Sequence, residues 1–571
     1  MSESIYDKLS KERKRLQKEG LVPEWFTTGG YSMFTQKYEY DTNGRSVRGQ
    51  FERIARAAAA HLKGTKFEAE AEGKFFDLMW NNWLSLSTPV MSNMGTDRAL
   101  PVSCSGGVVD DSINGFYKNR YETAILTKHG FGTSAYLGGI RPRGTPYGKD
   151  RKGTASGIWP VFKGHAQDMI DVAQGSTRRG AWAGYLEIDH KDFDEVYDHI
   201  YNDPDGMNVG WIITDVFLGR LRAGDSDAIR RYQRCLKMKM VVGRGYFWFV
   251  DRVNRKLPEP YKRAGMKNYA SNLCNEVALP ADNEHQFTCV LSSMLVHRFD
   301  EWKDTDAVYW ATIFLDCVAE EFIQRAEDIE GLEKTVRFTQ KARALGLGQA
   351  GFHTYLQDHL IPFESLEARM VSQQIAKHIW EESLRASQDM AKELGEPEWC
   401  RGLGVRNASR IAIAPTKSSA IMFGGVSEGI NPDPAMVFTQ KSAGGSIDRI
   451  VPSLLKIMKE RGVYNKKTIK TITERFGSVQ HVDWLSDDEK AVFKTAFEIN
   501  QKTVVNLASA RGRYIDQWQS LNLFFAAEER PEWISEVHQQ AFEDPNILGL
   551  YYIYTQAGIG AAKETECVAC Q

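Results

Sequence analysis

The sequence of 571 residues has no long hydrophobic run and almost no net charge. No stretch reaches the roughly 18 consecutive apolar residues of a membrane-spanning helix, and the N-terminal segment MSESIYDKLSKERKRLQKEG lacks the apolar core of a signal peptide. The formal net charge of −2 predicts no general attraction to nucleic acid or to a lipid surface. We therefore expect a cytoplasmic protein that binds neither membranes nor nucleic acid.

Cysteine is also scarce, with eight residues in the whole chain. Because the cytosol keeps most thiols reduced, these cysteines do not predict a framework of structural disulfides. Three of them are interpreted as small buried hydrophobic residues, namely Cys235, Cys317 and Cys400. The other five lie in contexts that suggest chemistry, and they are Cys104, Cys274, Cys289, Cys567 and Cys570.

The remaining composition, with 42% hydrophobic and 26% charged residues, is that of an ordinary globular protein. Residues 1–85 place apolar side chains at helical spacing, which predicts a small, mainly helical N-terminal domain. In residues 86–556, predicted strands such as NASRIAIAPTKSS alternate with Gly-rich turns and long helical stretches, which favours an α/β domain with parallel strands. Residues 557–571 lose this periodicity and predict a flexible tail.

The first candidate site is the pentapeptide Asn272-Leu273-Cys274-Asn275-Glu276. If this segment is a strand, residues two apart point to the same side, so that an amide, a thiol and a carboxylate project together. Such a group could form a reaction centre. The alternative is a half-buried strand that ends in polar residues.

The second candidate is the C-terminal motif Cys567-Val-Ala-Cys570. A C-x-x-C pair in the cytosol is either half of a zinc site or a redox dithiol. A structural zinc ion needs four ligands, and the chain has no second pair of this spacing. One residue from the end of a loose tail, the pair is suited to thiol–disulfide exchange, although incidental cysteines remain an alternative.

Two further motifs are weak signals on their own. Tyr551 and Tyr552 in LGLYYIYTQ are typical of a strand or of core aromatic residues. The segment APTKSS at 414–419 runs from a predicted strand toward a helix start, where backbone N–H groups can hold a phosphate. It lacks the GxxxxGK pattern of a Walker motif.

Taken together, these features and their neighbours resemble the large subunit of a class I ribonucleotide reductase, from about residue 20 to the end. The resemblance is carried, in order, by LVPEWFTTGGYSMF, STPVMSN, VSCSGG, GGIRPRGTP, AQGSTRRGA, SNLCNEVALP, TCVLSS, IAPTKSS, LYYIYTQ and CVAC. It implies a ten-stranded α/β barrel with a central finger loop. It also implies a ribonucleoside-diphosphate reductase that makes 2′-deoxyribonucleotides for DNA synthesis.

The resemblance assigns catalytic roles to five residues. Cys274 is expected to carry the thiyl radical that abstracts the 3′-hydrogen, and the redox pair Cys104 and Cys289 to reduce the substrate and end as a disulfide. Glu276 is expected to act as the base on the 3′-hydroxyl, and Asn272 to position the substrate. A thiol pair can supply both the proton and the two electrons that the loss of water from C2′ requires.

Other roles follow from the same resemblance. Tyr551 and Tyr552 match a stacked pair that relays a radical, with Tyr551 nearer the radical cysteine. Cys567 and Cys570 match a tail pair that reduces the active-site disulfide and is itself reduced by thioredoxin or glutaredoxin. The expected substrate-binding residues are Thr88, Ser103, Thr416, Ser418 and Ser419.

The tyrosine pair also bears on the class of reductase. Class I large subunits bind no radical-generating metal and receive the radical from a metal-containing small subunit. A dimetal site needs two Glu-x-x-His pairs, whereas this chain has the spacing once, at Glu187 and His190, to which we assign no metal role. The alternative is a class II enzyme, which uses adenosylcobalamin and needs no tyrosine relay.

The resemblance further implies a homodimer in which dNTP or ATP effectors, with Mg²⁺, select the substrate base. The candidate effector residues are Asp111, Arg141, Arg143, Gln174 and Arg178. Solvated surface charges are the alternative interpretation of these arginines. Many relatives begin with an ATP-cone of about 90 residues, whereas the match starts almost at once here. We therefore expect control of specificity without a dATP on/off switch.

Overall fold

The computed structural model describes residues 5–40, 46–172, 180–442 and 445–556. The predictions for Gln174, Arg178, Cys567 and Cys570, and for the tail as a whole, lie outside the described residues. No helix in the described ranges is both long and apolar enough to cross a membrane.

The α-helices of these ranges are α1 (Ile5–Lys18), α2 (Thr28–Met33), α3 (Val47–Ala60), α4 (Glu68–Trp80), α5 (Thr88–Asn93), α6 (Ile113–Lys128), α7 (Trp159–Asp171), α8 (Phe193–Asn202), α9 (Asp215–Arg222), α10 (Ser226–Val241), α11 (Val250–Lys256), α12 (Glu259–Arg263), α13 (Phe299–Trp302), α14 (Ala307–Ala326), α15 (Glu333–Ala342), α16 (Phe352–Asp358), α17 (Leu366–Leu394), α18 (Lys417–Met422), α19 (Pro452–Glu460), α20 (Lys466–Thr473), α21 (Asp487–Val492), α22 (Gln501–Gly512) and α23 (Pro531–Glu543).

The strands are β1 (Leu84–Leu86), β2 (Cys104–Val108), β3 (Gly132–Tyr136), β4 (Pro146–Tyr147), β5 (Gly153–Thr154), β6 (Trp182–Glu187), β7 (Asn208–Ile213), β8 (Tyr246–Phe249), β9 (Phe287–Leu295), β10 (Leu345–Ala350), β11 (Val437–Ser442), β12 (Gly445–Ile450), β13 (Leu523–Phe525), β14 (Gly549–Leu550) and β15 (Ile553–Thr555).

The N-terminal helices pack on the rest of the molecule through their apolar faces. α3 buries Phe51 and Ile54 completely, because these side chains recur at the three-residue spacing of one helical face. On α4, the ring of Phe75 lies edge-on to Trp310 and Phe314 of α14, with centroids 6.0 and 5.3 Å away. The small helical N-terminal domain predicted from the sequence is therefore confirmed.

The main sheet curls around the centre of the molecule. β2, β3, β6, β7 and β8 are parallel neighbours, and β14 pairs antiparallel with β8. On the other side, β9 pairs antiparallel with β2 and parallel with β10. Beyond β10, backbone hydrogen bonds join segments that are not regular strands throughout. They join β10 to residues 409–413, residues 409–413 to residues 517–520, and residues 521–523 to residues 551–552. The predicted α/β barrel is thus confirmed in outline, whereas the count of ten strands and the finger loop stay predictions.

One segment differs from its predicted structure. NASRIAIAPTKSS was expected to contain a strand, but within it only Ile413 forms a bridge, to Gln519. The backbone N–H groups of Arg410 and Ile411 donate instead to the two carboxylate oxygens of Asp516, each at 2.8 Å. At these two positions a side chain therefore interrupts the backbone hydrogen bonds to the neighbouring segments, and a local pattern of apolar residues does not reveal such an interruption.

Candidate active site

The first element of the site is a pair of cysteines on neighbouring strands. Cys104 on β2 lies directly opposite Cys289 on β9 in the antiparallel register. Directly opposed residues in such a pair have Cα atoms about 4.5–5.5 Å apart, which is within the range that a disulfide spans. Gly346 makes room for the pair, because a Cβ atom there would lie 2.7 Å from the sulfur of Cys289. The structure therefore brings together two cysteines that are 185 positions apart in the sequence.

Both thiols are buried and receive hydrogen bonds from amides. Asn272 Nδ2 donates to Cys104 Sγ at 3.4 Å, and Gln517 Nε2 donates to Cys289 Sγ at 3.5 Å. Burial raises the pKa of the Cys289 thiol well above its ordinary value. Cys289 is consequently held as a neutral thiol until its proton or an electron is required.

The segment that carries Cys274 is a turn, so the strand predicted for residues 272–276 was wrong. Asn275 has a left-handed backbone, with φ of +63°, which asparagine adopts more readily than most residues. Asn272 Oδ1 accepts hydrogen bonds from the backbone N–H groups of Glu276 at 3.1 Å and Val277 at 3.2 Å. The side chain of Asn272 thus closes the turn, because it accepts hydrogen bonds that backbone carbonyl groups accept in helices and strands.

Two residues that the sequence analysis missed hold this turn from opposite walls of the barrel. Tyr185 on β6 donates its hydroxyl to the carbonyl oxygen of Asn272 at 2.7 Å. Ser520 donates its hydroxyl to the carbonyl oxygen of Cys274. Both residues lie in buried segments without any distinctive motif, so no signal in the sequence marks them. Their hydrogen bonds fix the position of Cys274 relative to the sheet.

Glu276 is buried beside Cys274 and is only partly hydrogen-bonded. Its Oε2 accepts from Ser520 at 3.3 Å, while its Oε1 has no hydrogen-bond partner among the described residues. Burial raises the pKa of the Glu276 carboxyl to about 7. A carboxyl group with this pKa can both accept and release a proton near neutral pH, as a general base requires.

We predict that turnover rises with pH through about 7, because only ionised Glu276 can accept a proton. Glu276→Gln is expected to lower turnover by about 10²–10⁴-fold and to remove this rise. Glu284→Gln changes an exposed carboxylate that pairs with Arg337 and should leave the profile unchanged. The measurement is the pH profile of the reduction rate, and an unaltered profile in Glu276→Gln contradicts the assignment.

The same carboxyl group predicts a change in stability with pH. Its folded pKa is raised, so ionisation opposes folding as the pH rises from the ordinary carboxyl value toward about 7. At pH 5 the folded protein carries the neutral acid, and at pH 8 it carries a buried charge. The melting temperature of Glu276→Gln minus that of the unchanged protein should therefore be larger at pH 8 than at pH 5.

Cys104, Cys274 and Glu276 line one cleft. We call it the cysteine cleft. Its hydroxyl-bearing walls come from β1 and α5, from β9, and from the start of α18. The lining hydroxyl residues are Ser85, Ser87, Thr88, Ser103, Ser292, Ser293, Thr416 and Ser419. Four of the five predicted substrate-binding residues thus line the cleft, whereas Ser418 is buried on α18 outside the lining.

The hydroxyl groups of this lining differ in their partners. Thr88 shares a hydrogen bond of 3.0 Å with the hydroxyl of Tyr38, and Thr416 accepts from the backbone N–H of Gly429 at 2.9 Å. Ser103 Oγ is buried and has no hydrogen-bond partner among the described residues. The same is true of Ser85 Oγ and Ser87 Oγ. Because buried hydroxyls are normally hydrogen-bonded, these three groups are the ones best placed to bind a polar ligand.

The predicted tyrosine pair is in direct contact and is joined by a third tyrosine. The rings of Tyr551 and Tyr552 have centroids 4.0 Å apart. Tyr246 on β8 lies 4.9 Å from the first ring and 5.5 Å from the second, and its hydroxyl oxygen is 3.3 Å from that of Tyr552. The ring centroid of Tyr246 lies 6.4 Å from that of Tyr185 on β6. An unbroken series of rings therefore runs from half-buried Tyr552 toward the turn of Cys274.

The predicted effector residues that the structure describes lie in two ion pairs. Arg141 Nε donates to Asp111 Oδ2 at 2.6 Å, just before α6 begins. Arg143 donates to both carboxylate oxygens of Glu195, at 2.8 and 2.6 Å. Asp111 and Arg141 are therefore together, whereas Arg143 is paired with Glu195 instead.

Glu187 and His190, to which we assigned no metal role, have other partners. Glu187 Oε1 accepts from the hydroxyl of Tyr136 at 2.7 Å, and His190 Nε2 lies 3.2 Å from the carbonyl oxygen of Ile140. In the part of the chain that the structure describes, no three His, Cys, Asp or Glu side chains lie close enough to hold a metal ion.

Two protein-family models match almost the whole chain. Residues 24–99 match the family model described as "Ribonucleotide reductase, all-alpha domain". Residues 102–231, 226–402 and 398–553 match "Ribonucleotide reductase, barrel domain". The boundary between the two matches falls after α5, in the segment that leads into β2.

Individual relatives give the same result. The ribonucleoside-diphosphate reductase large subunit of Invertebrate iridescent virus 3 is 28% identical and aligns with 87% of this chain and 92% of its own length. That of Danio rerio is 25% identical over 93% of this chain and 75% of its own. The Actinobacillus ureae class Id ribonucleotide reductase alpha subunit has a TM-score of 0.85 at 34% identity, covering 96% of this chain and 99% of that one. This chain therefore belongs to the ribonucleotide reductase family as a large, catalytic subunit.

Proposed function

We propose that the cysteine cleft reduces ribonucleoside diphosphates to 2′-deoxyribonucleotides by thiyl-radical chemistry. The observation that carries this proposal is the opposed pair Cys104 and Cys289, which adjoins a cleft shared with Cys274 and the buried Glu276. A radical-forming thiol, a dithiol reductant and a base are the three groups that the reaction requires.

The reaction balances with these groups alone. The sulfur radical of Cys274 takes the hydrogen atom from C3′, and Glu276 accepts the proton of the 3′-hydroxyl. The 2′-oxygen then leaves as water with a proton from Cys104. A second hydrogen from the Cys104–Cys289 pair replaces this oxygen at C2′, so the pair has given up two protons and two electrons in all and becomes a disulfide. Glu276 returns its proton to the 3′-oxygen, and Cys274 returns a hydrogen atom to C3′, which regenerates its radical.

The radical itself is proposed to come from a metal-containing small subunit. Tyr552 is the half-buried member of the ring series, so it is the natural point of entry, and Tyr551 is fully buried behind it. A class II enzyme, which would form its radical from adenosylcobalamin inside the barrel, has no need of such a series. The class Id alpha subunit that shares this fold also favours class I.

The test of this proposal is CDP reduction by the purified chain. Activity is expected with a class I small subunit, and no activity is expected from the chain alone or with adenosylcobalamin. Turnover with adenosylcobalamin and without a small subunit contradicts the class I assignment. Absence of deoxycytidine diphosphate in every arm, with small subunits from several class I enzymes, contradicts the proposed reaction.

The C-terminal pair Cys567 and Cys570, outside the described residues, is proposed to reduce the Cys104–Cys289 disulfide. Twelve positions separate Thr555 from Cys567, and an extended chain of that length reaches at most about 40 Å. That distance is comparable with the dimensions of a domain, so the tail could reach the cleft and return to the surface. Thioredoxin or glutaredoxin would then reduce the tail.

A homodimer that binds nucleotide effectors is proposed at the exposed face of α6 and α7. Ile113, Tyr117 and Tyr121 are 69%, 64% and 44% exposed, and their four-residue spacing aligns them along one side of α6. Ile170 at the end of α7 is 66% exposed. Exposed apolar patches of this kind mark interfaces, and a second copy of this chain is the proposed occupant. The Asp111–Arg141 pair beside the patch is the proposed effector contact.

We predict that Tyr117→Asp weakens dimer formation at least about tenfold, because burial of a large apolar side chain contributes about 1.5–3 kcal/mol. Sedimentation velocity over a range of concentrations, with dTTP present, measures the effect. Tyr464→Asp alters another exposed aromatic residue, on the segment between α19 and α20, and serves as the control. Equal dimerisation of both variants contradicts the proposed interface.

A further inference from the structure

A second cleft, of about 780 Å³ of open space, lies apart from the cysteine cleft. Its walls come from the end of α11, the start of α12, the middle of α17, residues 405–410, and the segment that follows α22. None of its lining residues belongs to the catalytic, substrate-binding or effector groups described above. Its lining is unusual in containing buried cationic groups.

Arg410 is the most deeply buried of these cations, with 6% of its surface exposed. Its guanidinium lies over the ring of Trp380 at 4.5 Å, and its Nε donates to Ser383 at 3.3 Å. Its Nη2 is buried and has no hydrogen-bond partner among the described residues. The nearest carboxylate oxygen, Oδ2 of Asp516, is 3.9 Å from Nη2, which is too far for a hydrogen bond.

Asp516 is therefore an ion-pair partner of Arg410 that leaves its Nη2 without a hydrogen bond, and the two oxygens of Asp516 accept the backbone N–H groups of Arg410 and Ile411 instead. Lys256 supplies a second cation in this cleft. The Nζ of Lys256, at the end of α11, is buried and has no hydrogen-bond partner among the described residues. Arg513 is exposed and lines the same cleft.

Buried cationic nitrogens without hydrogen-bond partners, such as Lys256 Nζ and Arg410 Nη2, are costly, and an anion between them would remove much of that cost. The lining contains three cations, Lys256, Arg410 and Arg513, against the carboxylates of Glu259 and Asp516. An arginine whose guanidinium lies over an aromatic ring, and whose Nη2 has no hydrogen-bond partner, can donate hydrogen bonds to phosphate oxygens. We infer that this cleft is a binding site for the phosphate group of a small molecule, with Lys256 and Arg410 as its inner donors and Arg513 at its mouth.

The test uses inorganic phosphate as the probe and thermal unfolding of the full chain as the readout. Phosphate is titrated against chloride at constant ionic strength, so that general salt effects cancel. The melting temperature of the unchanged protein should rise with phosphate and then saturate. Lys256→Met keeps most of the aliphatic stem but removes the charge, and it should weaken this phosphate response at least about tenfold. Arg513→Gln should weaken it in the same direction.

Lys377→Met is the matched control, because Lys377 is an exposed lysine on α17 that pairs with Glu381. It should respond like the unchanged protein. Phosphate that binds only in the cysteine cleft would stabilise Lys256→Met as strongly as the unchanged protein, and that result overturns the inference. An absence of any saturating response also overturns it. Lys256→Met should retain CDP reduction. A failed phosphate test would therefore leave the catalytic proposal standing, and a failed CDP assay would leave the phosphate site standing.

Discussion

Cys274→Ser is expected to abolish ribonucleotide reduction while leaving the fold and the cleft intact. The oxygen–hydrogen bond of serine is much stronger than the sulfur–hydrogen bond of cysteine, so a serine radical would not form under the same driving force. Because each 1.36 kcal/mol of barrier is a factor of ten, a loss of more than about 1,000-fold is expected. The measurement is deoxycytidine diphosphate formed per chain with a saturating small subunit.

The fold should survive this change because the turn does not depend on the sulfur atom. Asn272 Oδ1 closes the turn through backbone N–H groups, and Ser520 binds the carbonyl oxygen of Cys274. CDP binding by equilibrium dialysis should therefore remain. Cys400→Ser changes a buried cysteine outside the cleft lining and should retain turnover. Substantial reduction by Cys274→Ser would show that another group starts the reaction.

Tyr552→Phe is expected to have the second-largest effect, a loss of turnover by more than about 100-fold. Phenylalanine fills the same space against Tyr551, but it has no phenolic hydrogen that can be exchanged with a radical. It also removes the contact between the hydroxyl groups of Tyr246 and Tyr552. The rate of deoxycytidine diphosphate formation with a saturating small subunit measures the loss.

Tyr554→Phe provides the control for this relay. Tyr554 stacks on Phe524 at 5.2 Å and lies 5.9 Å from Tyr552, so it shares the neighbourhood but is not one of the rings that run from Tyr552 toward the turn of Cys274. Its replacement should leave turnover within about threefold of the unchanged protein. Full activity of Tyr552→Phe, or equal losses in the two variants, would remove the basis for the relay.

Residue types and their contexts predicted the chemistry of the site, whereas the pairing of Cys104 with Cys289 was predicted by the family resemblance alone. The contexts of Cys104, Cys274 and Cys289 pointed to chemistry. However, the direct opposition of Cys104 and Cys289 arises from the pairing of β2 with β9, strands that are distant in the sequence. No local pattern encodes that register, because it is set by the packing of the whole barrel.

The turn at Cys274 illustrates a second limit. Alternation of polar and apolar residues is equally compatible with a strand and with an irregular buried segment, so the periodicity of residues 272–276 was misleading. The decisive features are the side chain of Asn272, which replaces backbone partners, and the left-handed Asn275. Gly549 adds to this, since a Cβ atom there would lie 2.4 Å from Oδ1 of Asn275. Only the folded structure brings these residues into contact.

Helices were easier to predict because their signal is local. α14 and α17 are long stretches of helix-favouring residues, a signal that each segment carries by itself. By contrast, Tyr185 and Tyr246 are aromatic residues in buried strands, as many core residues are. Their hydroxyl groups acquire a role only through neighbours from β8, the turn at Cys274 and the segment after β14.

The most direct test of the central claim is a single-turnover experiment with the Cys567→Ser/Cys570→Ser variant and a class I small subunit. Without the tail thiols, each chain should form about one deoxycytidine diphosphate and then stop, even with a protein reductant present. Peptide mapping of the stopped enzyme should identify a disulfide between Cys104 and Cys289. Repeated turnover, or a stopped enzyme in which both of these cysteines are still thiols, would contradict the proposed chemistry.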